Sequence, residues 1–321
     1  MYSIKSHSKQ TLAFPLHELK FMVKKLNRIG SEKTRNLALL YLVIGAVAIG
    51  FAPIFVRLSE VDPIATGFWR VAIAFPILTL LSLGQGYTRP DDRHKPILKD
   101  YLWLLFSGVL FGGDLATWHL SIQYTTIANS TLIANFSPIL IALWGWVVLK
   151  KPPQKKLIIG LLLALLGIVI LIQPTVPMDK NIRVGDGLAF ITAFFYAGYL
   201  LVLNRARKKF TAFTSMALST FASMLTLFFI ACITSELTLP ETETAWLILL
   251  ALALFAHVLG QGLIAYALPY LPVTFSSTAL LIQPMVAAIA GFFFFSEILN
   301  FIQITGILIA LVGIFLAKQT I

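Results

Sequence analysis

The chain is written twice. Laying residues 111–167 over 257–313 without a gap, an offset of 146 residues, brings Tyr124 onto Tyr270, Ser130 onto Ser276 and Pro138 onto Pro284. In the same register Gly145, Gly160 and Gly167 fall on Gly291, Gly306 and Gly313. Two prolines and three glycines in step are not a chance match. Each copy holds five apolar runs, and an odd number of spans forces the second copy to enter a membrane from the opposite side. The expectation is an inverted repeat, an architecture common among secondary transporters.

Composition supports the membrane reading. Hydrophobic residues make up 58% of the chain and charged residues 12%, against about 25% charged residues in soluble domains. A span needs about 20 mostly apolar residues. Ten runs qualify, near 37–56, 64–83, 101–120, 127–149, 157–173, 187–204, 212–234, 245–268, 273–295 and 301–317. The predicted fold class is an all-α polytopic membrane protein with ten transmembrane helices in two inverted five-helix repeats. A basic cytoplasmic tail (1–36) precedes the first repeat (37–173), and a linker (174–186) precedes the second (187–321).

A net charge of +11 invites the reading of a polyanion site, but its distribution argues otherwise. The assigned spans put 21 of the 25 Lys and Arg on one side, including eight before Leu37, and leave Arg57, Lys180 and Arg183 on the other. The positive-inside rule makes the first side cytoplasmic, with both termini there, as in a multi-pass protein of a bacterial inner membrane. No nucleic-acid partner is called for. Residues 16–29 place Leu16, Leu19, Met22, Val23, Leu26 and Ile29 on one helical arc and Lys20, Lys24, Lys25 and Arg28 on the other. That pattern fits a helix lying on an anionic membrane surface, and a disordered basic tail is the open alternative. Cleavage of a signal peptide at Ala46-Val47-Ala48 would cost the first repeat a helix that the second retains.

Energy and redox motifs are missing. There is no GxxxxGK[ST], HExxH or CxxC, and Cys232 is the sole cysteine. No metal site or cofactor is expected. The runs GGDLATWHLSIQYTTIANSTLIANFSPILIALWGW and LGQGLIAYALPYLPVTFSSTALLIQPMVAAIAGFFFFSEILNFIQITGILIALVGIFLA resemble two EamA domains of the drug/metabolite transporter superfamily. The short hairpin, the proline midway along its second helix and the following Gly-x6-Gly carry the likeness. Glu297 stands where that family places a glutamate, whereas the first copy has Lys151. The resemblance implies a secondary transporter of amino acids, amines, nucleotide-like metabolites or drug-like compounds, with efflux as its usual direction. Import or exchange of a cofactor such as S-adenosylmethionine is the alternative it leaves open. Expected partners are a small-molecule substrate and the lipid bilayer, with a homodimer also left open.

Charge inside hydrocarbon costs about 2.5 to 3.5 kcal/mol on insertion scales and needs a reason. Arg70, Asp114, His119 and His257 are the residues concerned. Arg70 and Asp114 lie at similar depths, and a charge pair beside a substrate path competes with a purely structural pair or with Arg70 snorkelling outwards. Phe111, Asp114, Leu115 and Trp118 share one arc of span three. Their repeat partners His257, Gly260, Gln261 and Ile264 should face them. His257 and Gln261, one α-turn apart, either contact substrate or hydrogen-bond a neighbouring helix. His119 falls nearer the outer interface. Ser130 and Ser137, with Ser276 and Gln283, form a polar stripe beside Pro138 and Pro284, which serve as cavity hinges or as tolerated kinks. Asn135, Tyr196 and Tyr199 are further lining candidates. The glycine pairs 160/167 and 306/313 read as packing surfaces.

An enzyme would need a nucleophile or metal cluster, yet Ser137 and His257 lack an evident catalytic partner. A channel would need charged rings or a filter loop, and neither is visible. The topology has a direct test. An impermeant thiol reagent applied from outside should label a cysteine placed at Glu241 and leave cysteines at Lys95 and Lys208 unmodified; the opposite pattern would invert the assignment.

Overall fold

A computed structural model describes residues 16–86, 95–125, 127–173, 180–296 and 298–321. Glu297, Arg89 and Arg93 lie outside these residues, as do the side chains on the two arcs of 16–29. The chain divides into two compact units, Met1–Leu37 and Ala38–Ile321. In the first, the backbone is helical from Leu16 onward.

Among the described residues every regular element is helical. In chain order these are α1 (Leu16–Gly50), α2 (Ala52–Leu58), α3 (Pro63–Gln85), α4 (Leu98–Tyr124), α5 (Ile127–Ala134), α6 (Ser137–Val147), α7 (Lys155–Ile172), α8 (Lys180–Ala206) and α9 (Ala212–Thr234). There follow α10 (Glu243–Ala251), a π-helical segment (Leu252–Gln261), α11 (Gly262–Ala267), α12 (Val273–Ala279), α13 (Ile282–Phe295) and α14 (Phe301–Lys318). Nine helical stretches are long and apolar enough to cross a membrane among the described residues. The expected span that is not among them, α4, is 27 residues long but carries Gly108, Gly112, Gly113, Asp114, Thr117 and His119 along its middle. Those residues lower its hydropathy because α4 is an interior helix, packed against α8 and α9.

Two expected spans are broken rather than bent. The stretch from Ile127 divides into α5 and α6 at Asn135–Phe136, and the stretch from Val273 divides into α12 and α13 at Leu280–Leu281. Each break lies two to four residues before a proline, Pro138 or Pro284, whose ring removes a helical donor and crowds the preceding turn. At the second break the freed Leu280 carbonyl accepts from the Gln283 N–H at 2.9 Å, so a tighter turn replaces the lost helical bond. A third break at Phe51, before Pro53, separates α1 from α2. The eighth expected span, read as a plain α-helix, contains the π-helical run of ten residues.

Small residues set the closest helix contacts. A methyl group on Gly167 would lie 2.6 Å from the Gly306 carbonyl oxygen, and one on Gly313 would lie 2.6 Å from that of Gly160. Thus α7 and α14 touch backbone to backbone through the paired glycines, the use expected for them. Gly45 meets the Gly260 carbonyl in the same manner, at 2.7 Å. Polar ties finish the ends: Asn300 and Gln303 cap α14 reciprocally at 2.9 and 3.0 Å. The Trp69 indole N–H donates to the Thr238 carbonyl at 3.0 Å, and Lys209 pairs with Asp100 at 2.8 Å.

Because rigid backbone opposes these glycines, Gly313→Leu should lower the melting temperature in detergent by an amount corresponding to about 1 to 3 kcal/mol or more of overpacking. Gly145→Leu is the control, since nothing lies within 4 Å of a methyl group there. Equal melting temperatures for the two variants would refute the close-packing account.

Candidate functional site

The helix breaks enclose a cavity with about 120 Å³ open to the centres of water molecules. One water needs about 10 to 15 Å³ by that measure, so the space suits several waters or a compact organic molecule. Its wall draws on corresponding positions of the two sequence copies: Leu115 and Gln261, Thr131 and Ser277, Ser137 and Gln283, and Pro138 and Pro284 all line it. The broken helices are what expose these groups. Ser137 and Gln283 stand in the first turns of α6 and α13.

Most of the sequence candidates meet here. Arg70, Asp114, Trp118, Asn135, Ser137, Tyr196, Gln261 and Gln283 line the cavity with both hinge prolines. Asn135 donates its side-chain N–H to the Thr131 carbonyl at 2.7 Å, which leaves its side-chain oxygen for other partners. Gln283 Nε2 is buried without a hydrogen-bond partner, a costly state in a dry interior.

The charge pair takes a different form from the one expected. Arg70 and Asp114 are 4% and 8% exposed and line the same cavity. However, among the described residues no N···O contact within 4.0 Å joins them, and Arg70 Nε has no hydrogen-bond partner. The Phe111 ring, whose centroid lies 5.9 Å from the guanidinium carbon, occupies part of the space around Arg70. Desolvation is thus incurred by both charges without the full return of direct pairing.

Of the two readings open for His257, the structure has the hydrogen bond to a neighbouring helix. The histidine is fully buried but absent from the cavity wall, with Nε2 at 2.7 Å from Thr220 Oγ1 on α9 and its ring 5.5 Å from Phe111, which stands between it and the cavity. His257 and Gln261 both lie in the π-helical segment, where His257 turns to α9 and Gln261 to the cavity. Gln261 reaches the cavity and accepts from the Tyr199 hydroxyl at 3.4 Å. Tyr199 itself is fully buried behind the wall. His119 also departs from expectation: it is 0% exposed, and Nδ1 lies 2.6 Å from the Leu115 carbonyl. Ser130 turns to Ser121 rather than to the cavity.

The sequence reading missed Thr131, Thr192 and Ser277 on the wall, together with Ile49, Gly50 and Pro53 at the α1–α2 break. Thr192 had a signal, since it lies one α-turn before Tyr196 on the same helix and bonds Thr117 at 2.7 Å. Pro53 within an apolar run was the signal for the third break.

The sequence matches the EamA-like transporter family twice, over residues 36–173 and 183–318. An uncharacterized transporter of Archaeoglobus fulgidus is 27% identical over 302 residues, covering 90% of this chain and 99% of its own. The threonine/homoserine exporter of Salmonella typhimurium is 26% identical over 268 residues, covering 79% and 87% respectively. The pseudopaline exporter of Pseudomonas aeruginosa is 24% identical, covering 79% and 85%. A solved crystal structure superposes with a TM-score of 0.72 at 14% identity, over 90% of this chain and 98% of that one, a likeness of fold alone. With matches over both halves of the sequence, the chain belongs to the EamA-like transporter family and is a multi-pass membrane transporter, not an enzyme.

Proposed function

We propose that the protein exports a small organic metabolite across a bacterial inner membrane, by alternating access of two inverted five-helix bundles around the cavity at the helix breaks. Ten spans are counted in this reading, with α4 as the interior tenth and both termini cytoplasmic. The observation that carries it is the composition of the wall, in which corresponding positions of both sequence copies converge on one cavity. Discontinuous helices meeting near mid-membrane are a recurrent feature of transport sites. The exporter names of two relatives support the direction and favour amino acids or amine-containing metabolites as cargo.

The packing supports a gate on the basic side. Leu42, Leu78, Leu104, Leu203, Phe210 and Ile264 are all 0% exposed and belong to one apolar cluster. Arg207 closes over this end by donating to the Ala265 and Phe210 carbonyls, with Nε 2.6 Å from the Ala265 oxygen. Alternation requires that layer to part. The Lys209–Asp100 tie, with side chains 33% and 20% exposed, is a weak obstacle, because ion pairs in contact with solvent contribute about 0 to 1 kcal/mol.

The test fills the cavity. Cells producing the parent protein should survive higher concentrations of at least one compound in a panel of amino-acid analogues and amines. Ala134→Phe and Ala287→Phe, at two wall positions, should reduce that tolerance at least tenfold while protein level and melting temperature stay near the parent. Thr220→Val is the counter-case: it strips His257 Nε2 of its partner and should destabilise by about 1 to 3 kcal/mol while tolerance persists. Unchanged tolerance in both cavity-filled variants would remove this cavity from the transport path.

A further inference from the structure

The cavity holds one buried guanidinium group and one buried carboxyl group that the protein does not join. Arg70 and Asp114 line it, each more than nine-tenths buried, with no direct ion pair between them and no partner for Arg70 Nε. The other wall residues are uncharged, offering rings from Phe111, Trp118 and Tyr196, amides from Asn135, Gln261 and Gln283, hydroxyls and aliphatic surface. Leaving a charge uncompensated in such a place is expensive, and the deficit limits what can occupy the cavity. A simple amine would neutralise Asp114 and leave Arg70 further desolvated. A simple carboxylate would do the reverse. A molecule with both poles meets both demands at no change in net charge.

Further groups suit each pole. For a carboxylate there are the forked donors of Arg70 and Gln283 Nε2. For an ammonium there are the Asp114 carboxylate and the electron-rich faces of Trp118 and Tyr196. The volume, about 120 Å³ for water centres, favours a compact molecule.

We propose that the cavity takes a compact zwitterion of the α-amino-acid type, with its carboxylate held by Arg70 and its ammonium by Asp114, so that the substrate completes the charge pair. This rests on the reading of the cavity as the transport site, and it adds the requirement for both poles and the residue that takes each.

The test uses the full chain purified in detergent and three probes at equal millimolar concentration: a mixture of the proteinogenic L-amino acids whose side chains are uncharged, the same amino acids as amides, and the same as N-acetyl derivatives. The amides keep only the ammonium and the N-acetyl compounds only the carboxylate. The free amino acids should raise the melting temperature by about 2 to 4 °C through linkage, and neither capped mixture should reach half of that rise. In Asp114→Asn the advantage of the free acids over the N-acetyl compounds should vanish, and in Arg70→Gln their advantage over the amides should vanish. If either variant fails to fold, the comparison on the parent protein still decides. Protection by one capped mixture equal to that by the free acids overturns the two-pole assignment, as does an absence of protection by all three. Should the amides protect fully, and Ala134→Phe abolish that protection, the cavity stands as a binding site while the zwitterion does not.

Discussion

A backbone amide in hydrocarbon has no water to bond, and this requirement organises the molecule. It makes helices the default for every apolar run, and it allows a helix to break only where protein or a cavity can receive the freed groups. The breaks at Phe51, Asn135–Phe136 and Leu280–Leu281 all border the same cavity. Proline initiates each of them by deleting a donor. The Gln283 N–H then takes up the Leu280 carbonyl, so the interruption does not leave that acceptor stranded. Polar wall, flexible joint and helix amino ends therefore have one physical origin.

Around the cavity the helices hold by two different means. Where α7 meets α14, glycines bring backbones into contact and dispersion does the work, which suits a contact that stays fixed. Where α4 meets α9, Ser107 and Ser219 bond side chain to side chain at 3.2 Å, and the Ser223 hydroxyl donates to the Gly108 carbonyl at 2.8 Å. Arg70 and Asp114 stand apart from both modes. Their separation within one cavity is a local exception to the rule that buried charges are paired.

The π-helical segment breaks the likeness between the two copies. Its counterpart in the first copy lies within α4, which is α-helical throughout. Within it His257 meets Thr220 and Gln261 lines the wall, while Gly260 fits beneath Ile49, whose Cγ1 would lie 2.6 Å from a methyl group there. Side chains at matching positions therefore do different work: Phe111 lines the cavity, and His257 stabilises the helix pair behind it.

The sequence by itself determined the helical class, because apolar runs of this length admit little else in a membrane, and its internal offset paired Ser137 with Gln283 and Pro138 with Pro284, which line one cavity. Arg70, Asp114, Ser137, Gln261 and Gln283 were legible because polar groups within apolar runs require a reason to be there. The glycine contacts were legible too, since small residues at matched spacing have few other uses. Only the tertiary structure decided that His257 faces a threonine, that His119 is buried, that Ser130 turns away and that Arg70 and Asp114 do not touch. Those outcomes depend on helix rotation and on an extra residue in one turn, which hydrophobic periodicity does not record. The direction of a side chain changes by tens of degrees with such a shift, while the apolar pattern that predicts the helix stays the same.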